Sequence, residues 1–324
     1  MILLDGSTLT VEQLLGIADR AEPVALTDAA RDRVRASRAV VDRRARGDEP
    51  AYGINTGFGS FAEVKIAPDA LETLQLNLLR SHAAGLGEPL PVRAVRATMA
   101  LRANVLAKGF SGISLDTLDA LIALLNHGVH PRVPSRGSVG ASGDLAPLAH
   151  LALVLIGEGE ALVENEPEKT ARDRRDRKEQ EEQKDSLRSL RAPRFFPISG
   201  AEALKRAGLT PIRLGPKEGL ALINGTQPST AMLALALAGA EQVARAADIA
   251  AALSIDALRG SIHPFEARIH DARPFRGQRT SAANIEALMR GSGINDSHEH
   301  CGKVQDAYSL RCAAQVHGAT REAL

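Results

Sequence analysis

The sequence predicts a mainly α-helical protein whose interior is built from small and aliphatic side chains. Of its 324 residues, 44% are hydrophobic, but only 3% are aromatic and tryptophan is absent. A core of Ala, Leu, Val and Ile suits closely packed helices. Apolar residues recur at helical spacing in residues 69–108, 114–128 and 217–258. The last stretch is apolar on nearly all sides, which predicts a helix in the interior of a bundle.

Local signals place further elements in the first part of the chain. The start reads as a short extended segment, and Thr10-Val11-Glu12-Gln13 has the form of a capping box that begins a helix. Residues 31–46 predict an arginine-rich helix, whose charges we interpret as a solvated face. Residues 51–61 contain three glycines and an asparagine, which predict a loop between helices.

Charge and composition exclude several classes of function. The formal net charge is +1, so no bulk attraction to nucleic acid or to a membrane surface is implied. No uncharged apolar run approaches the ~20 residues of a membrane helix. The two cysteines, Cys301 and Cys312, lack CxxC spacing, and the start lacks the pattern of a secretory signal. We therefore expect a cytoplasmic protein without nucleic-acid or membrane partners.

A charged segment interrupts the apolar periodicity in the middle of the chain. Residues 164–194 are dense in Arg, Lys, Glu, Asp and Gln and poor in apolar side chains. This composition fits either a solvated helix with many ion pairs or a disordered segment. We interpret it as an insertion at about residues 164–196.

A cluster near the end of the chain superficially resembles a metal site. His298, His300 and Cys301 lie within four positions of one another. A fourth ligand at a usual zinc spacing is missing from the sequence. We therefore predict no metal site.

The stretch of residues 135–150 carries the most informative pattern. Gly137, Gly140 and Gly143 indicate a loop, and Asp144 opens an apolar run at helical spacing. By itself this pattern fits a glycine-rich turn before a core helix. The triplet Ala141-Ser142-Gly143 also permits a reaction. If a tight turn presses the Gly143 nitrogen against the carbonyl carbon two residues back, a ring can close, and loss of water from serine leaves an exocyclic methylene.

Residues 137–149, Gly-Ser-Val-Gly-Ala-Ser-Gly-Asp-Leu-Ala-Pro-Leu-Ala, resemble the signature of the aromatic amino acid ammonia-lyases. The resemblance implies that Ala141, Ser142 and Gly143 cyclise autocatalytically into a methylidene-imidazolone (MIO) electrophile, with no external cofactor. It also implies a long-helix bundle of the aromatic ammonia-lyase type, with a smaller N-terminal loop-and-helix domain that carries the MIO group.

Three further motifs resemble the same family. Residues 52–59, Tyr-Gly-Ile-Asn-Thr-Gly-Phe-Gly, imply that Tyr52 is the catalytic base that removes the β-proton. Residues 224–227, Asn-Gly-Thr-Gln, imply that Asn224 holds the amino-acid end of the substrate. Residues 305–311 imply that Gln305 and the catalytic Tyr308 order the site, while Arg311 binds the substrate carboxylate through its planar fork.

The dipeptide Ser81-His82 bears on the substrate. It resembles the histidine-specific members of the family, and it implies that His82 faces the imidazole of the substrate. The implied activity is that of a carbon–nitrogen lyase of histidine degradation, which eliminates ammonia from L-histidine to give trans-urocanate. Tyrosine-specific lyases and aminomutases can also carry histidine here, so these activities remain an alternative. A catalytically silent helical protein that only assembles with partners is another.

The resemblance also implies the domain organisation. Residues 1–216 form the MIO-bearing domain, and residues 217–324 begin the central helical bundle. Family members continue for well over a hundred further residues and assemble as homotetramers, with each active site built from several subunits. We therefore expect a chain that is incomplete at its C-terminus, and we leave open whether it is active alone.

Overall fold

The computed structural model describes residues 1–140, 143–164, 195–298 and 300–324, which are mostly helical. The prediction of a mainly α-helical protein is therefore confirmed. The chain divides into two compact units, Met1–Met232 and Leu233–Leu324. The proposed domain boundary after residue 216 stays a prediction. In the part of the chain that the structure describes, no helix is long and apolar enough to cross a membrane.

The first unit begins with a small parallel pair of strands and two helices. Their bounds are β1, Ile2–Leu4; α1, Val11–Asp19; β2, Val24–Leu26; and α2, Asp28–Arg46. The predicted capping box is confirmed, because the Thr10 side chain accepts a hydrogen bond from the Gln13 backbone and the Gln13 side chain accepts one from the Thr10 backbone. Strand β1 pairs with β2.

Six helices follow in the first unit, and they form its core. Their bounds are α3, Leu71–His82; α4, Val92–Leu106; α5, Leu115–Asn126; α6, Leu145–Leu155; α7, Gly200–Arg206; and α8, Glu218–Ile223. Helices α3, α6 and α8 pack against one another, and α4 packs against α1 and α5. The α6 run of Leu and Ala is almost entirely buried. The three mutually packed helices fix the frame on which the candidate site is built.

Five short strands complete the first unit. Their bounds are β3, Leu86–Pro89; β4, His130–Pro131; β5, Pro134–Arg136; β6, Glu160–Glu164; and β7, Phe195–Ser199. Strand β3 pairs with β5, and β4, β6 and β7 form a three-stranded antiparallel sheet. The charged segment lies outside the described residues, apart from its margins. Glu164 is the last residue of β6 and Phe195 is the first residue of β7, and the two residues are direct partners in the antiparallel register of these strands.

His130 of β4 predicts a pH dependence of stability. Its ring is buried, its edge meets the Phe195 ring at 5.6 Å between centroids, and its Nδ1 has no partner among the described residues. Burial, helped by the nearby Arg96 guanidinium, lowers the pKa of His130 from 6.5 to about 4. Below pH 6.5 the unfolded chain binds a proton that the folded chain does not. The folded state should therefore lose about 3 kcal/mol of stability as pH falls from 6.5 to 4.

The measurement is urea unfolding at several pH values across this window. Between pH 6.5 and pH 4, the free energy of unfolding of the His130→Gln variant should fall by about 3 kcal/mol less than that of the wild type. His127, an exposed neighbour, offers the control, because His127→Gln should follow the wild-type profile. A His130→Gln profile parallel to that of the wild type would show that His130 is not the group responsible.

The regular elements of the second unit, among its described residues, are helices. Helix α9, Gln227–Ala257, contains the division between the units, and the bounds of the later helices are α10, Ala267–His270; α11, Arg276–Met289; α12, Gly293–Ser297; α13, Tyr308–Arg311; and α14, Ala313–Ala323. Ile255, Phe265, Ile285 and Met289 are fully or almost fully buried in its core. Helices α11 and α14 pack closely, since a side chain at Gly318 would overlap Gln278.

A buried carboxylate joins three helices of the second unit. Asp248 of α9 is 1% exposed, and it accepts hydrogen bonds from Asn284 of α11 at 2.8 Å and from Arg321 of α14 at 2.7 Å. Its other oxygen lies 2.9 Å from His317 Nδ1. Burial acts to raise the pKa of Asp248, but these hydrogen bonds outweigh it and the net shift is downward.

Replacement of Asp248 by asparagine should destabilise the second unit by about 3 kcal/mol, because Arg321, whose side chain is only 16% exposed, loses its buried counter-ion. Urea unfolding followed by circular dichroism measures the effect. The matched control is Glu241→Gln on the same helix, since Glu241 is about half exposed and lies 3.5 Å from Arg245. That exposed pair should be worth less than about 1 kcal/mol. Equal losses in the two variants would contradict the structural role of Asp248.

Candidate active site

A cavity of the first unit lies where the loop of residues 51–61 meets α3, α6 and α8. Its volume is 440 Å³. Its lining residues are Tyr52, Phe58, Gly59, Leu78, His82, Leu145, Leu220, Ile223 and Asn224. The structure therefore brings together three of the predicted site residues, Tyr52, His82 and Asn224, against a mainly apolar wall. Tyr52 and His82 are the titratable groups among these lining residues.

The loop that carries Tyr52 is held from within by Asn55. The Asn55 side chain is 1% exposed; its amide nitrogen donates to the carbonyl oxygens of Arg44 and Glu49, and its oxygen accepts from the Ala51 N–H at 2.7 Å. Tyr52 itself is 56% exposed, and its ring meets the Phe58 ring edge-on at 6.1 Å. Asn55 thus shapes the loop, whereas Tyr52 stays open to the cavity.

His82 ends helix α3 and presents one ring nitrogen for binding. Its Nδ1 lies 2.9 Å from the carbonyl oxygen of Leu78 and 3.1 Å from the Ser81 hydroxyl. A carbonyl oxygen can only accept, so Nδ1 carries the proton in this contact. Nε2 of the neutral ring is then an acceptor, and no described residue bonds to it. His82 can therefore accept a hydrogen bond from a group inside the cavity.

The glycine-rich stretch reaches the same region through Gly143. Ala141 and Ser142 lie outside the described residues, but the glycines on either side are bonded to each other, from Gly143 N–H to the Gly140 oxygen at 2.8 Å. Gly143 has φ of +105°, and a Cβ there would lie 3.2 Å from Asn224 Oδ1 and 3.3 Å from the Gly225 nitrogen. Glycine is therefore required at 143, in direct contact with Asn224.

Asp144 has a different role from the one its position suggests. It precedes α6 as predicted, but its side chain does not cap that helix. The fully buried carboxylate instead accepts from the backbone N–H and the hydroxyl of Ser229, both at 2.9 Å, and from the Ser138 hydroxyl. Its own N–H donates to the Gly225 oxygen at 2.6 Å. Asp144 thus ties the glycine-rich stretch to the first turn of α9.

Asn224 lies at the end of α8, and the buried Arg102 of α4 contacts its backbone. Arg102 Nη2 donates to the Asn224 oxygen at 3.1 Å, and Nη1 donates to Gln227 Oε1 at 2.6 Å. Burial lowers the pKa of Arg102 to about 10, so the guanidinium stays protonated at neutral pH. The Asn224 side chain lines the cavity and has no hydrogen-bond partner among the described residues.

The second unit contains the other predicted site residues. Gln305 and Arg311 line a cavity of 540 Å³, together with Arg259, Arg268, Lys303 and Asp306. The Arg311 guanidinium carbon lies 4.1 Å from the centroid of the Tyr308 ring, and Tyr308 is 73% exposed. Arg311 Nε also donates to the backbone oxygen of Asp306 at 3.1 Å. The surplus of cationic side chains along this wall suits a carboxylate ligand.

Of the three candidate metal ligands, His298 has another contact, with a backbone oxygen. His298 Nδ1 lies 2.6 Å from the carbonyl oxygen of Ile294, and Cys301 and Cys312 are free thiols. Among the described residues, no three His, Cys, Asp or Glu side chains cluster closely enough to hold a metal ion.

Several residues of the site region were missed from the sequence. The contacts of Asp144 with Ser229, and of Arg102 with Asn224, join segments far apart in the chain. The signal for Arg102 was a charged residue among the apolar positions of a predicted core helix, although such a residue more often faces solvent. Asn55 sits in a motif that predicted only a loop, and its buried amide explains why that loop is ordered.

Comparison with known proteins places these motifs in one family. Residues 9–324 match the family model for aromatic amino acid lyases. A histidine ammonia-lyase of Anaeromyxobacter sp. (strain K) is 53% identical over 325 aligned residues, which cover 100% of this chain and 59% of that protein.

Two solved structures extend the comparison. The histidine ammonia-lyase of Trypanosoma cruzi has a TM-score of 0.79 at 39% identity and covers 99% of this chain, which spans 54% of that one. The tyrosine aminomutase of Streptomyces globisporus has a TM-score of 0.81 at 36% identity, with coverage of 99% and 58%. The chain thus spans less than two-thirds of the length of these relatives. With the family model matching nearly all of its residues, the chain belongs to the aromatic amino acid lyase family.

Proposed function

We propose that this protein acts as a histidine ammonia-lyase, which eliminates ammonia from L-histidine to give trans-urocanate. The observation that carries the proposal is the cavity shared by Tyr52, His82 and Asn224 beside Gly143. A hydroxyl, an imidazole and an amide converge there on an apolar space beside Gly143, the described residue of the Ala141-Ser142-Gly143 triplet. The histidine ammonia-lyases among the relatives support the same activity.

We infer that Ala141, Ser142 and Gly143 form the MIO group, and the described residues fit it. Gly143 lies where a side chain would crowd Asn224 and Gly225, and the absence of a Cβ also leaves its nitrogen unhindered. Asp144 follows Gly143 in the chain and its N–H donates to the Gly225 oxygen, while Asn224 Oδ1 lies close to the position that a Gly143 side chain would occupy. The group would supply an electrophile that takes up the substrate's amine and makes it a better leaving group.

Tyr52 is the residue we assign to proton removal. As the phenolate, its oxygen takes the proton from the β-carbon and becomes a hydroxyl, the electrons of that carbon–hydrogen bond form the double bond, and the carbon–nitrogen bond breaks with its electron pair leaving on the nitrogen, which is released as ammonia. The hydroxyl has no hydrogen bond with another described residue, and the side chain is 56% exposed. Tyr52 can therefore approach a substrate without breaking a hydrogen bond to any described residue.

Recognition of the substrate is divided between its two ends. The Nε2 acceptor of His82 suits the ring N–H of a neutral imidazole, and the amide of Asn224, which lines the cavity, suits the amino-acid end. We assign Arg311 to the carboxylate, with Gln305 and Tyr308 ordering it. The cationic wall around Arg311 supports this assignment.

We further propose that the complete enzyme is a homotetramer, with its active sites built from several subunits. The 31-residue helix α9 exposes residues at alternating spacings of four and three, which are Met232, Ala236, Gly239, Val243, Ala246, Ala250 and Leu253. Such a seam of small and apolar residues is typical of helices that pack against other helices. Large exposed apolar surfaces mark association sites.

We also propose that the protein is located in the cytoplasm. Its unpaired cysteines agree with the reducing conditions there.

A tyrosine ammonia-lyase or aminomutase is the second candidate. Its specific support is the acceptor on His82, which would also suit a phenol hydroxyl, together with the likeness to the Streptomyces tyrosine aminomutase. The two candidates differ in their products. Histidine gives urocanate, whereas tyrosine gives coumarate or a β-amino acid.

The deciding experiment supplies L-histidine and L-tyrosine separately and identifies the products. It uses the 324-residue chain and the same chain extended by the remaining part of the Anaeromyxobacter relative, because that relative is longer. We expect urocanate from histidine. Coumarate or β-tyrosine would favour the second candidate instead. No product from either amino acid, with an intact mass that shows no loss of water, would indicate a catalytically silent assembly protein.

A further inference from the structure

We propose that Arg102 is a positioning residue, which holds the backbone of Asn224 so that its side chain faces the substrate. The inference rests on the proposed function, because it concerns how Asn224 binds the amino-acid end. Arg102 lies in α4 and is 3% exposed. Its two terminal nitrogens contact Gln227 Oε1 at 2.6 Å, the Asn224 oxygen at 3.1 Å and the Ala221 oxygen.

The acceptors around Arg102 explain why a cation lies there. The Ala221 and Asn224 oxygens belong to the last turn and the C-cap of α8, where carbonyl groups lack partners within the helix and favour positive charge. No carboxylate pairs with Arg102 in the part of the chain that the structure describes. The two terminal nitrogens of the guanidinium therefore bond to the segment that carries Asn224, and that segment is in turn held by the guanidinium.

The same contact accounts for two other residues of the Asn-Gly-Thr-Gln motif. Gln227 supplies the oxygen that receives Arg102 Nη1. Gly225 lies beneath this pair, and a side chain at 225 would overlap both Arg102 and Gln227. Three of the four motif residues are thus explained by one geometry, in which the guanidinium binds the backbone oxygen of Asn224 while the Asn224 amide lines the cavity.

The helix α4 also provides a matched control. Arg96 is 5% exposed and donates only to backbone oxygens, those of Ile17 at 2.9 Å and Leu125 at 3.0 Å. Burial lowers its pKa as well. Arg96→Lys and Arg102→Lys are therefore the same substitution in similarly buried positions of one helix, but only Arg102 contacts Asn224.

Steady-state kinetics with L-histidine, in the version of the protein that shows activity, tests the inference. We expect Arg102→Lys to raise KM roughly tenfold with kcat within about threefold, the scale of one lost charged hydrogen bond. KM of Arg96→Lys should stay within about twofold of the wild type. In an Asn224→Ala background, Arg102→Lys should add nothing, because it acts through Asn224. Equal KM changes in both lysine variants, or additive effects with Asn224→Ala, would overturn the inference.

Amide hydrogen exchange separates this inference from the proposed function. Exchange in the segment 221–230 should be faster in Arg102→Lys than in Arg96→Lys, whichever reaction the protein catalyses. If the wild type eliminates ammonia from no amino acid, the proposed function fails, and exchange alone then decides about Arg102. Equal exchange in the two variants would show that Arg102 does not hold Asn224.

Discussion

Replacement of Ser142 by alanine should lower the rate of urocanate formation by ~10⁴-fold or more, the scale on which loss of a covalent-catalysis group acts. Alanine lacks the hydroxyl whose loss as water leaves the exocyclic methylene, so the electrophile cannot form. The helical fold should remain, because the frame around the site is built by Gly143, Asp144 and the helices they contact. Assays of activity and circular dichroism measure both outcomes.

Mass spectrometry adds a readout that does not depend on activity. The wild-type protein should be lighter than its sequence predicts by two waters, and Ser142→Ala should not form the dehydrated triplet. Ser135→Ala is a suitable control, since Ser135 is an exposed serine of the same stretch, on β5, and should keep both the mass loss and the activity. Full turnover in Ser142→Ala would refute the assignment of the MIO group.

Replacement of Tyr52 by phenylalanine should lower kcat by roughly a hundredfold or more, the scale of a lost general base, with little change in KM. Phenylalanine keeps the ring that meets Phe58 edge-on and removes only the hydroxyl. The loop should keep its shape, because Asn55 and not Tyr52 bonds it to the preceding helix. Steady-state kinetics on L-histidine gives both parameters.

The control for this variant tests the neighbouring ring. Phe58→Leu removes the aromatic contact but leaves the Tyr52 hydroxyl in place, and such a contact is worth about 1 kcal/mol. It should therefore cost less than about tenfold in kcat. If Tyr52→Phe were as active as the wild type, the proton would have to leave by another group.

The regular part of the fold was predictable because it depends on local spacing. The leucines of α5, the capping box before α1 and the long apolar run of α9 each produce their pattern within a few turns. The extended start of the chain was predicted and forms β1, but the later short strands were not predicted, because β4 has two residues and β6 and β7 pair across the charged segment. Pairing between distant segments leaves little trace in a local pattern.

The candidate site was predictable only through the resemblance of its motifs. Nothing in the spacing of Tyr52, His82 and Asn224 indicates that they line one cavity, since α3, α6 and α8 must pack before they meet. The contacts that support the site were missed for a related reason. The interior partners of Arg102 and Asp144 are backbone groups, one glutamine side chain and two serine hydroxyls, which do not stand out as complements of a charge.

The pairing of Glu164 with Phe195 has a practical consequence for engineering. These two residues are direct partners in the antiparallel register, so any segment that connects them begins and ends at neighbouring positions. Such a position tolerates changes of length well, because longer closures cost little free energy. A fluorescent domain or an affinity handle could be inserted there, or new chain ends could be opened, without altering the hydrogen bonds of the two strands.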